Sequence, residues 1–274
     1  TWNEATTLSG NLAINSGVTL TLGSQVTISG EVTISGGGYI VREGSYKGAL
    51  FSVPADGSLT LESVVLDGGA VWSNTAEDDD YNAALQRGTT NTGKTATASA
   101  IECYGTLKLK KTTLQNHNKT NGSGAVVYLY DAAIMEMDEC VIANNSSSSN
   151  SGVIHSYSND GIHSPTVSIA ASQFYGNTGS SSGGGGVMYI NNGRVTITQS
   201  DFYHNGNIIG YGGVLYINGS TASIEECTFT NNSAATSGGA VYSTNATVTL
   251  SDCTMTENSA IYGGAIYDSS SSYI

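Results

Sequence analysis

The chain has 274 residues and a formal net charge of −13, yet only 11% of its residues are charged. Residues 121–274 contain eleven acidic residues and a single base, Arg194. An acidic chain without basic clusters argues against nucleic acid and anionic membrane as partners, and no apolar run approaches the roughly 20 residues that span a bilayer.

The first quarter of the chain predicts short strands. Residues 17–22 (GVTLTL), 25–30 (QVTISG) and 31–36 (EVTISG) alternate apolar and polar side chains, as half-buried strands do. Their spacing is too short for one strand per coil of a repeat structure. We therefore interpret residues 1–69 as irregular coils and these strands as successive faces of the same coils.

Residues 70–97 interrupt the alternation and are predicted to form a loop that leaves the main structure. The loop contains the acidic run Glu77, Asp78, Asp79 and Asp80. Carboxylates are ligands of Ca²⁺, but the run lacks the spaced D-x-D-x-D-G pattern of a calcium loop. A solvated loop is the favoured interpretation, which leaves Asp78, Asp79 and Asp80 as weak metal candidates, and no cofactor is expected.

Residues 98–274 carry a repeat of 26 to 32 residues. Its strand-like segment recurs as LKLKKT, MEMDEC, VSIAAS, VTITQS, ASIEEC and VTLSDC, beginning at residues 107, 135, 167, 195, 222 and 248. An apolar residue follows, then usually an asparagine three positions later, then a loop, and in the later copies two glycines. The sequence ends abruptly in GGAIYDSSSSYI, in the middle of a repeat. We therefore expect either that the native chain continues beyond this point or that the exposed edge of the last coil meets a partner.

One such unit cannot bury its apolar face alone, so the units must stack and share a core. The sequence therefore predicts an all-β right-handed parallel β-helix, a solenoid of about ten coils in one domain. Side chains one repeat apart then lie above one another, about 4.8 Å apart. Phe202, Phe229 and Met255 form an apolar column in this arrangement.

A polar column is predicted at one bend of the solenoid. A buried asparagine there can bond its own backbone and the asparagine of the next coil. His117 occupies the same repeat position and is expected to act as a substitute hydrogen bonder. The predicted asparagine ladder consists of Asn145, Asn177, Asn205, Asn232 and Asn258.

The glycine pairs are expected to turn the chain at positive φ, Gly239 included. Tyr189, Tyr216, Tyr242 and Tyr267 follow these pairs. Facing outward, the tyrosines would form an aromatic strip for sugar rings or a protein partner. Facing inward, they would stack in the core. We expect core or bend packing, because strand alternation would place Tyr242 on the same face as Ala240, and alanine is often buried.

Other candidate sites have a simpler structural interpretation. The lysines at 108, 110 and 111 align with the acids at 136, 138 and 139, which favours a ladder of opposite charges over a catalytic base. Asp160, in NDGIH, is interpreted as a turn residue rather than a glycosidase carboxylate. Cys227 and Cys253 share a repeat position and are expected to be buried thiols rather than a disulfide.

The segments FTNN…GGAVY and MTEN…GGAIY, from residue 229 to residue 267, resemble the repeats of chlamydial polymorphic outer membrane proteins. A weaker match extends over residues 98–267. The resemblance implies a β-helix displayed outside the cell, as in adhesin-like surface proteins, without implying a ligand.

We therefore expect an extracellular or cell-surface domain that is not an enzyme. It would act as a rigid scaffold whose loops bind a host cell, a glycan or a protein. Two alternatives are a filament or sheath subunit that assembles with copies of itself through open edges, and a polysaccharide lyase or glycosidase.

Overall fold

The structure is a computed structural model that describes residues 1–72, 90–158 and 162–270, and the backbone of residues 272–273. Between successive coils every strand pairs in parallel, and the described strands collect into four sheets. We call one coil of the chain a rung. The fold is an all-β parallel β-helix of ten rungs, as the sequence predicts.

Three long sheets form the walls of the solenoid. The first sheet contains β1 (Thr6–Leu8), β4 (Val26–Ile28), β7 (Phe51–Val53), β10 (Ile101–Cys103), β14 (Val127–Tyr130), β18 (Ile154–Tyr157), β22 (Met188–Asn191), β26 (Leu215–Asn218), β30 (Val241–Thr244) and β33 (Ile266–Ser269). The second sheet contains β2 (Leu12–Ala13), β5 (Glu31–Ser35), β8 (Ser58–Glu62), β11 (Thr106–Lys110), β15 (Ile134–Asp138), β19 (Thr166–Ala170), β23 (Arg194–Thr198), β27 (Thr221–Glu225), β31 (Thr247–Ser251) and β34 (Ser272–Tyr273).

The third sheet contains β3 (Thr19–Leu22), β6 (Tyr39–Arg42), β9 (Val65–Asp67), β12 (Thr113–Gln115), β16 (Val141–Ala143), β20 (Gln173–Tyr175), β24 (Asp201–Tyr203), β28 (Thr228–Thr230) and β32 (Thr254–Thr256). A fourth, short sheet contains β13 (Asn118–Lys119), β17 (Ser146–Ser147), β21 (Thr178–Gly179), β25 (Gly206–Asn207) and β29 (Ser233–Ala234). The N-terminal strands β3, β4 and β5 belong to three different sheets, and so are successive faces of adjoining rungs.

The core is a set of vertical columns. Alternate side chains of each strand point inward, and identical positions of neighbouring rungs are paired in register. Phe202 pairs with Phe229 and Phe229 with Met255 on the third sheet. The rings of Phe174, Phe202 and Phe229 stack with centroids 4.7 and 4.9 Å apart and are fully buried.

The two ends of the predicted 70–97 loop contact each other and the neighbouring rungs. Trp72 and Asn91 form an antiparallel bridge, and the Trp72 indole nitrogen donates to the Asn144 carbonyl at 2.9 Å. Ala96 bridges to Lys119, so the chain has rejoined the rungs at that residue. Residues 73–89, which include the acidic run from Glu77 to Asp80, lie outside the described residues.

The five asparagines lie above one another in a continuous hydrogen-bonded ladder. The side-chain amide nitrogens of Asn145, Asn177, Asn205 and Asn232 each donate to Oδ1 of the next ladder residue at 3.0–3.1 Å. Their backbone amides donate to the same oxygens at 3.0–3.1 Å. Each side chain also donates to a carbonyl of the preceding rung, as Asn232 does to Phe202 at 2.9 Å. The bend is therefore satisfied internally where water cannot reach it.

His117 lies at the lower end of the ladder. Its backbone amide donates to Asn145 Oδ1 at 3.0 Å, and its ring Nε2 lies 3.2 Å from the Leu66 carbonyl oxygen. The side chain is 2% exposed. Burial, with a contribution from the nearby Arg42, lowers the pKa of His117 to about 4.

A second ladder lies at the bend between the second and third sheets. A residue with left-handed φ, such as Lys111, Glu139 or Gln199, precedes a hydroxyl or thiol at each rung. That group donates back to the carbonyl two residues earlier, for example Cys227 Sγ to Glu225 at 3.1 Å. The donors are Thr112, Cys140, Ser172, Ser200, Cys227 and Cys253. All four cysteines are free thiols.

The expectation that Gly239 turns at positive φ is wrong. The first glycine of the pair, Gly238, has a φ of +68°, whereas Gly239 lies outside the left-handed region. Gly239 is needed for a different reason, because a Cβ there would collide with the carbonyl oxygen of Gly264 on the next rung. The second glycine therefore allows rungs to approach, and the first allows the turn.

Replacing Asn232 with leucine should lower the free energy of unfolding by about 3 kcal/mol or more, because the Asn205 amide and the Phe202 carbonyl lose buried partners. Chemical denaturation followed by circular dichroism measures the loss. A midpoint equal to that of the wild type would contradict the ladder.

Replacing Gly239 with alanine should also destabilise the fold, because a single methyl group already clashes with the backbone. Gly183→Ala is the control, since its Cβ would meet no atom within 4 Å and its φ is not left-handed. Equal melting temperatures of the two variants would show that the close approach at Gly239 is absent.

Acidification should destabilise the protein through His117. The unfolded histidine binds a proton below about pH 6.5, while the folded one does so only near pH 4, so stability falls as the pH drops between these values. The loss from this group is up to about 3 kcal/mol. His117→Asn extends the ladder and removes this titration, so denaturation midpoints of the variant should depend less on pH than those of the wild type. Identical pH profiles would contradict the assignment.

Candidate functional site

A column of aromatic rings runs along the first sheet. Six residues in successive rungs are paired in register, one per strand, from β14 to β33. Four of them are the tyrosines that follow the repeat's glycine positions, and two lie below them. We call this set the aromatic column: Tyr128, His155, Tyr189, Tyr216, Tyr242 and Tyr267.

The aromatic column lies on the outer face of the sheet. Leu215 and Ile217, the neighbours of Tyr216, are fully buried members of the core, so Tyr216 between them points outward. The expectation of core packing is therefore wrong. Ala240 lies in the bend before β30, which begins at Val241, so strand alternation does not relate Ala240 to Tyr242.

The rings of the column stack on one another from His155 to Tyr267, while the Tyr128 ring is tilted by 49° to that of His155. Centroids are 4.9 Å apart from His155 to Tyr189, 5.1 Å from Tyr189 to Tyr216 and 4.9 Å from Tyr216 to Tyr242, with interplanar angles of 10–18°. Tyr242 and Tyr267 follow at 5.6 Å and 7°. Because each ring covers the face of its neighbour, the column presents ring edges to solvent rather than ring faces.

A second outward column lies beside the first, two residues farther along each strand. Tyr104 and Tyr130 stack at 4.2 Å and 5°, and Tyr130 also stacks on Tyr128 at 4.3 Å. Higher up, Asn218 donates to Asn191 at 2.6 Å and hydrogen-bonds the Tyr189 side chain. We call the following set the flanking column: Tyr130, Tyr157, Asn191, Asn218, Thr244 and Ser269.

A loop residue closes over the upper part of the aromatic column. Tyr211 follows β25 and stacks on Tyr242 with centroids 4.5 Å apart and an interplanar angle of 25°. This contact helps reduce the exposure of Tyr242 to 9%, while Tyr189, Tyr216 and Tyr267 are partly buried. The loop that carries Tyr211 therefore covers one side of Tyr216 and Tyr242.

A buried cation, Lys119, lies beside the lower end of the aromatic column and belongs to neither column. Lys119 Nζ donates to Ser99 Oγ at 3.0 Å and to the Ser123 carbonyl at 2.8 Å, and lies 5.6 Å from the Tyr128 ring centroid. Burial lowers the pKa of Lys119. The next residue up, His155, is 4% exposed, and burial together with Lys119 lowers its pKa to about 3. His155 is therefore uncharged at neutral pH.

The two columns form a face without charge. Neither contains a group that is ionised at neutral pH, because His155 is neutral and burial raises the pKa of Tyr216 to about 12. We call the two columns together the uncharged face. The second sheet differs, since Lys108 and Glu136 lie 3.5 Å apart and Lys110 is paired in register with Asp138.

The remaining sequence candidates lie elsewhere. Lys111 and Glu139 form a surface ion pair at 3.7 Å. His204 Nδ1 lies 3.2 Å from the Asn231 amide at a bend. Asp78, Asp79, Asp80 and Asp160 lie outside the described residues. Within the ranges that the structure describes, no three histidine, cysteine or acidic residues are grouped for a metal, and no helix is long and apolar enough to cross a membrane.

Two of the six residues of the aromatic column, Tyr128 and His155, were not predicted from the sequence. VVY at residues 126–128 and VIH at 153–155 correspond to VMY at 187–189, with two apolar residues before an aromatic one. The signal was present, but these two copies lack the glycine pair by which the tyrosines were aligned.

Comparison with known families matches the chain to a β-helix family. The family described as right-handed β-helix region covers residues 99–274, well over half of the chain. No curated protein and no solved structure matches. Together with the parallel sheets and their ladders, this match shows that the chain belongs to the right-handed β-helix family.

Proposed function

We propose that this domain is a non-catalytic binding scaffold displayed outside the cell, and that the uncharged face is its ligand surface. The observation that carries the proposal is the aromatic column, which faces outward over six rungs rather than filling the core. Aromatic side chains with a polar edge are enriched at binding surfaces because one group supplies both contact area and hydrogen bonds.

The column is rigid before any ligand binds. Each ring from His155 to Tyr242 is held between two neighbouring rings, and the strands beneath these rings, β18 to β30, are paired on both sides. A surface that is already ordered loses little conformational entropy on binding, so more of the interaction energy appears as affinity. The β-helix serves here as the support that fixes the spacing of the contact groups.

The ionisable groups of the face suit binding better than proton transfer. A general acid or base works best with a pKa near the working pH. Burial moves the pKa of His155 to about 3 and that of Tyr216 to about 12, away from neutrality in both directions. Both groups therefore act as fixed polar contacts at neutral pH.

Display outside the cell is part of the proposal. The chain is acidic and poor in charged residues, and its repeats resemble those of bacterial surface proteins. The net negative charge favours solubility of a long scaffold. The uncharged face then differs in charge from the rest of the acidic molecule.

Tyr216→Ala should reduce binding on the order of tenfold or more, because it removes a ring from the centre of the column. The measurement is binding of the purified chain to a glycan array and to immobilised extracellular-matrix proteins. Tyr203→Ala is the matched control, since Tyr203 stacks on Tyr175 at 5.1 Å on the third sheet, away from the face.

Circular dichroism of both variants should show the wild-type fold. The proposal fails if the wild-type chain binds none of these probes. It also fails if Tyr203→Ala lowers binding as much as Tyr216→Ala does, because the ligand would then not lie on the uncharged face.

A further inference from the structure

The spacing and neutrality of the uncharged face restrict what can bind there. The aromatic column offers one ring edge per rung, with centroids 4.9 to 5.6 Å apart from His155 to Tyr267. The flanking column adds a hydroxyl or amide group beside each ring. A fitting ligand must present hydrogen-bonding groups at nearly the same interval along a straight line.

The charge of the molecule restricts the ligand further. The chain carries −13 overall, and its only base after residue 120, where all six rungs of the face lie, is Arg194. An anionic polymer would be repelled along most of this length. No member of the uncharged face is a carboxylate that could attract a polycation, and Glu102, which is paired in register below Tyr128, lies one rung outside the face. The complementary ligand is therefore neutral.

The stacking of the rings determines how they make contact. Sugar-binding surfaces that use the flat side of an aromatic ring need that side to be exposed. Here the flat sides of Tyr189, Tyr216 and Tyr242 are covered by one another. What remains is the outer edge of each phenol with its hydroxyl, which can donate and accept hydrogen bonds.

From these three features we infer that the ligand is a neutral, linear polysaccharide that lies along the axis of the β-helix, with about one sugar per rung. The inference rests on the proposed function and names its ligand class. An extended sugar chain advances per residue by about the rung spacing of ~4.8 Å, and its hydroxyls match a row of phenols and amides.

A polypeptide fits this row less well. An extended peptide advances about 3.3 Å per residue, so its polar groups fall out of phase with the rungs. A peptide that joined the edge of a sheet would need unpaired strands, whereas the strands β18 to β30 under the face are paired on both sides. A protein ligand is therefore the competing outcome that the experiment must detect.

The test is calorimetric titration of the full chain with neutral β-linked glucan, mannan and xylan oligosaccharides of two to eight sugars. Polygalacturonate oligosaccharides of the same lengths and an extracellular-matrix protein serve as the other probes. We expect affinity for at least one neutral series to rise with each added sugar up to about six, the number of rungs in the face, and then to level off. The anionic series should bind at least tenfold more weakly.

Tyr216→Phe tests recognition by the ring edge, because it keeps the stack and removes one hydroxyl. We expect affinity for the neutral oligosaccharide to fall about fivefold, the effect of one neutral hydrogen bond. Tyr203→Phe, on the third sheet, should leave affinity unchanged. Full affinity in Tyr216→Phe would overturn recognition through the hydroxyl row.

The outcomes separate this inference from the proposed function. Binding of the matrix protein that Tyr216→Ala abolishes, without binding of any neutral oligosaccharide, would overturn the inference and leave the binding face in place. Tighter binding of polygalacturonate than of the neutral chains would overturn the charge argument. Absence of binding to every probe would overturn both.

Discussion

The structure depends on hydrogen bonding between equivalent positions of successive rungs. Backbone pairing in the sheets brings rungs to the spacing of parallel strands, and the asparagine ladder extends the same pairing through a bend where backbone groups would otherwise be unpaired. The side chain of Asn205 makes hydrogen bonds to the rung below, to Tyr203 in its own bend and to the rung above. Asparagine suits the position because it has both donors and an acceptor.

The same constraint produces the candidate site. Once rungs are held in register, any residue type that recurs at one repeat position becomes a column, and the column has the spacing of the backbone. Phenylalanine at an inward position gives the stacked core column of Phe174, Phe202 and Phe229. Tyrosine at an outward position gives the aromatic column. Core and site therefore follow from one repeat, and they differ only in which side of a strand the ring occupies.

The register also separates different chemistries onto different faces. The second sheet collects charged residues of both signs, in which Lys108 lies beside Glu136 and Lys110 beside Asp138. The first sheet collects tyrosine, histidine, asparagine and hydroxyl groups over six rungs. A long uncharged face on an acidic molecule is what a neutral, extended ligand would require, and the ladder supplies the rigidity that makes its spacing reliable.

Much of the fold could be predicted from the sequence, because the repeat is long and the strand alternation is regular. The register of Phe229 beneath Met255 followed from aligning repeats alone. The orientation of Tyr242 could not be obtained in this way, since it depends on whether strand alternation continues through Ala240, and a bend interrupts it there. The role of Gly239 was misread for a related reason, because a carbonyl on a neighbouring rung, rather than the local backbone angle, requires glycine.

The lower part of the site was harder to find from the sequence. Tyr128 and His155 lie in repeats that lack the glycine pair, so their equivalence to Tyr189 emerges only from the strand pairing. The depressed pKa of His155 was also hidden, because it arises from burial beside Lys119, which is distant in the chain. Chemistry that depends on contacts between rungs is visible in the sequence only where the repeat is regular.

A double-mutant cycle between Asn205 and Asn232 tests the central claim most directly. Asn205→Ala, Asn232→Ala and the double variant are denatured chemically, and the coupling free energy is obtained from the three losses. If the two side chains form one hydrogen-bonded ladder, the coupling should be about 1–2 kcal/mol. Additive losses, within the error of the measurement, would show that the rungs are not held together by this ladder.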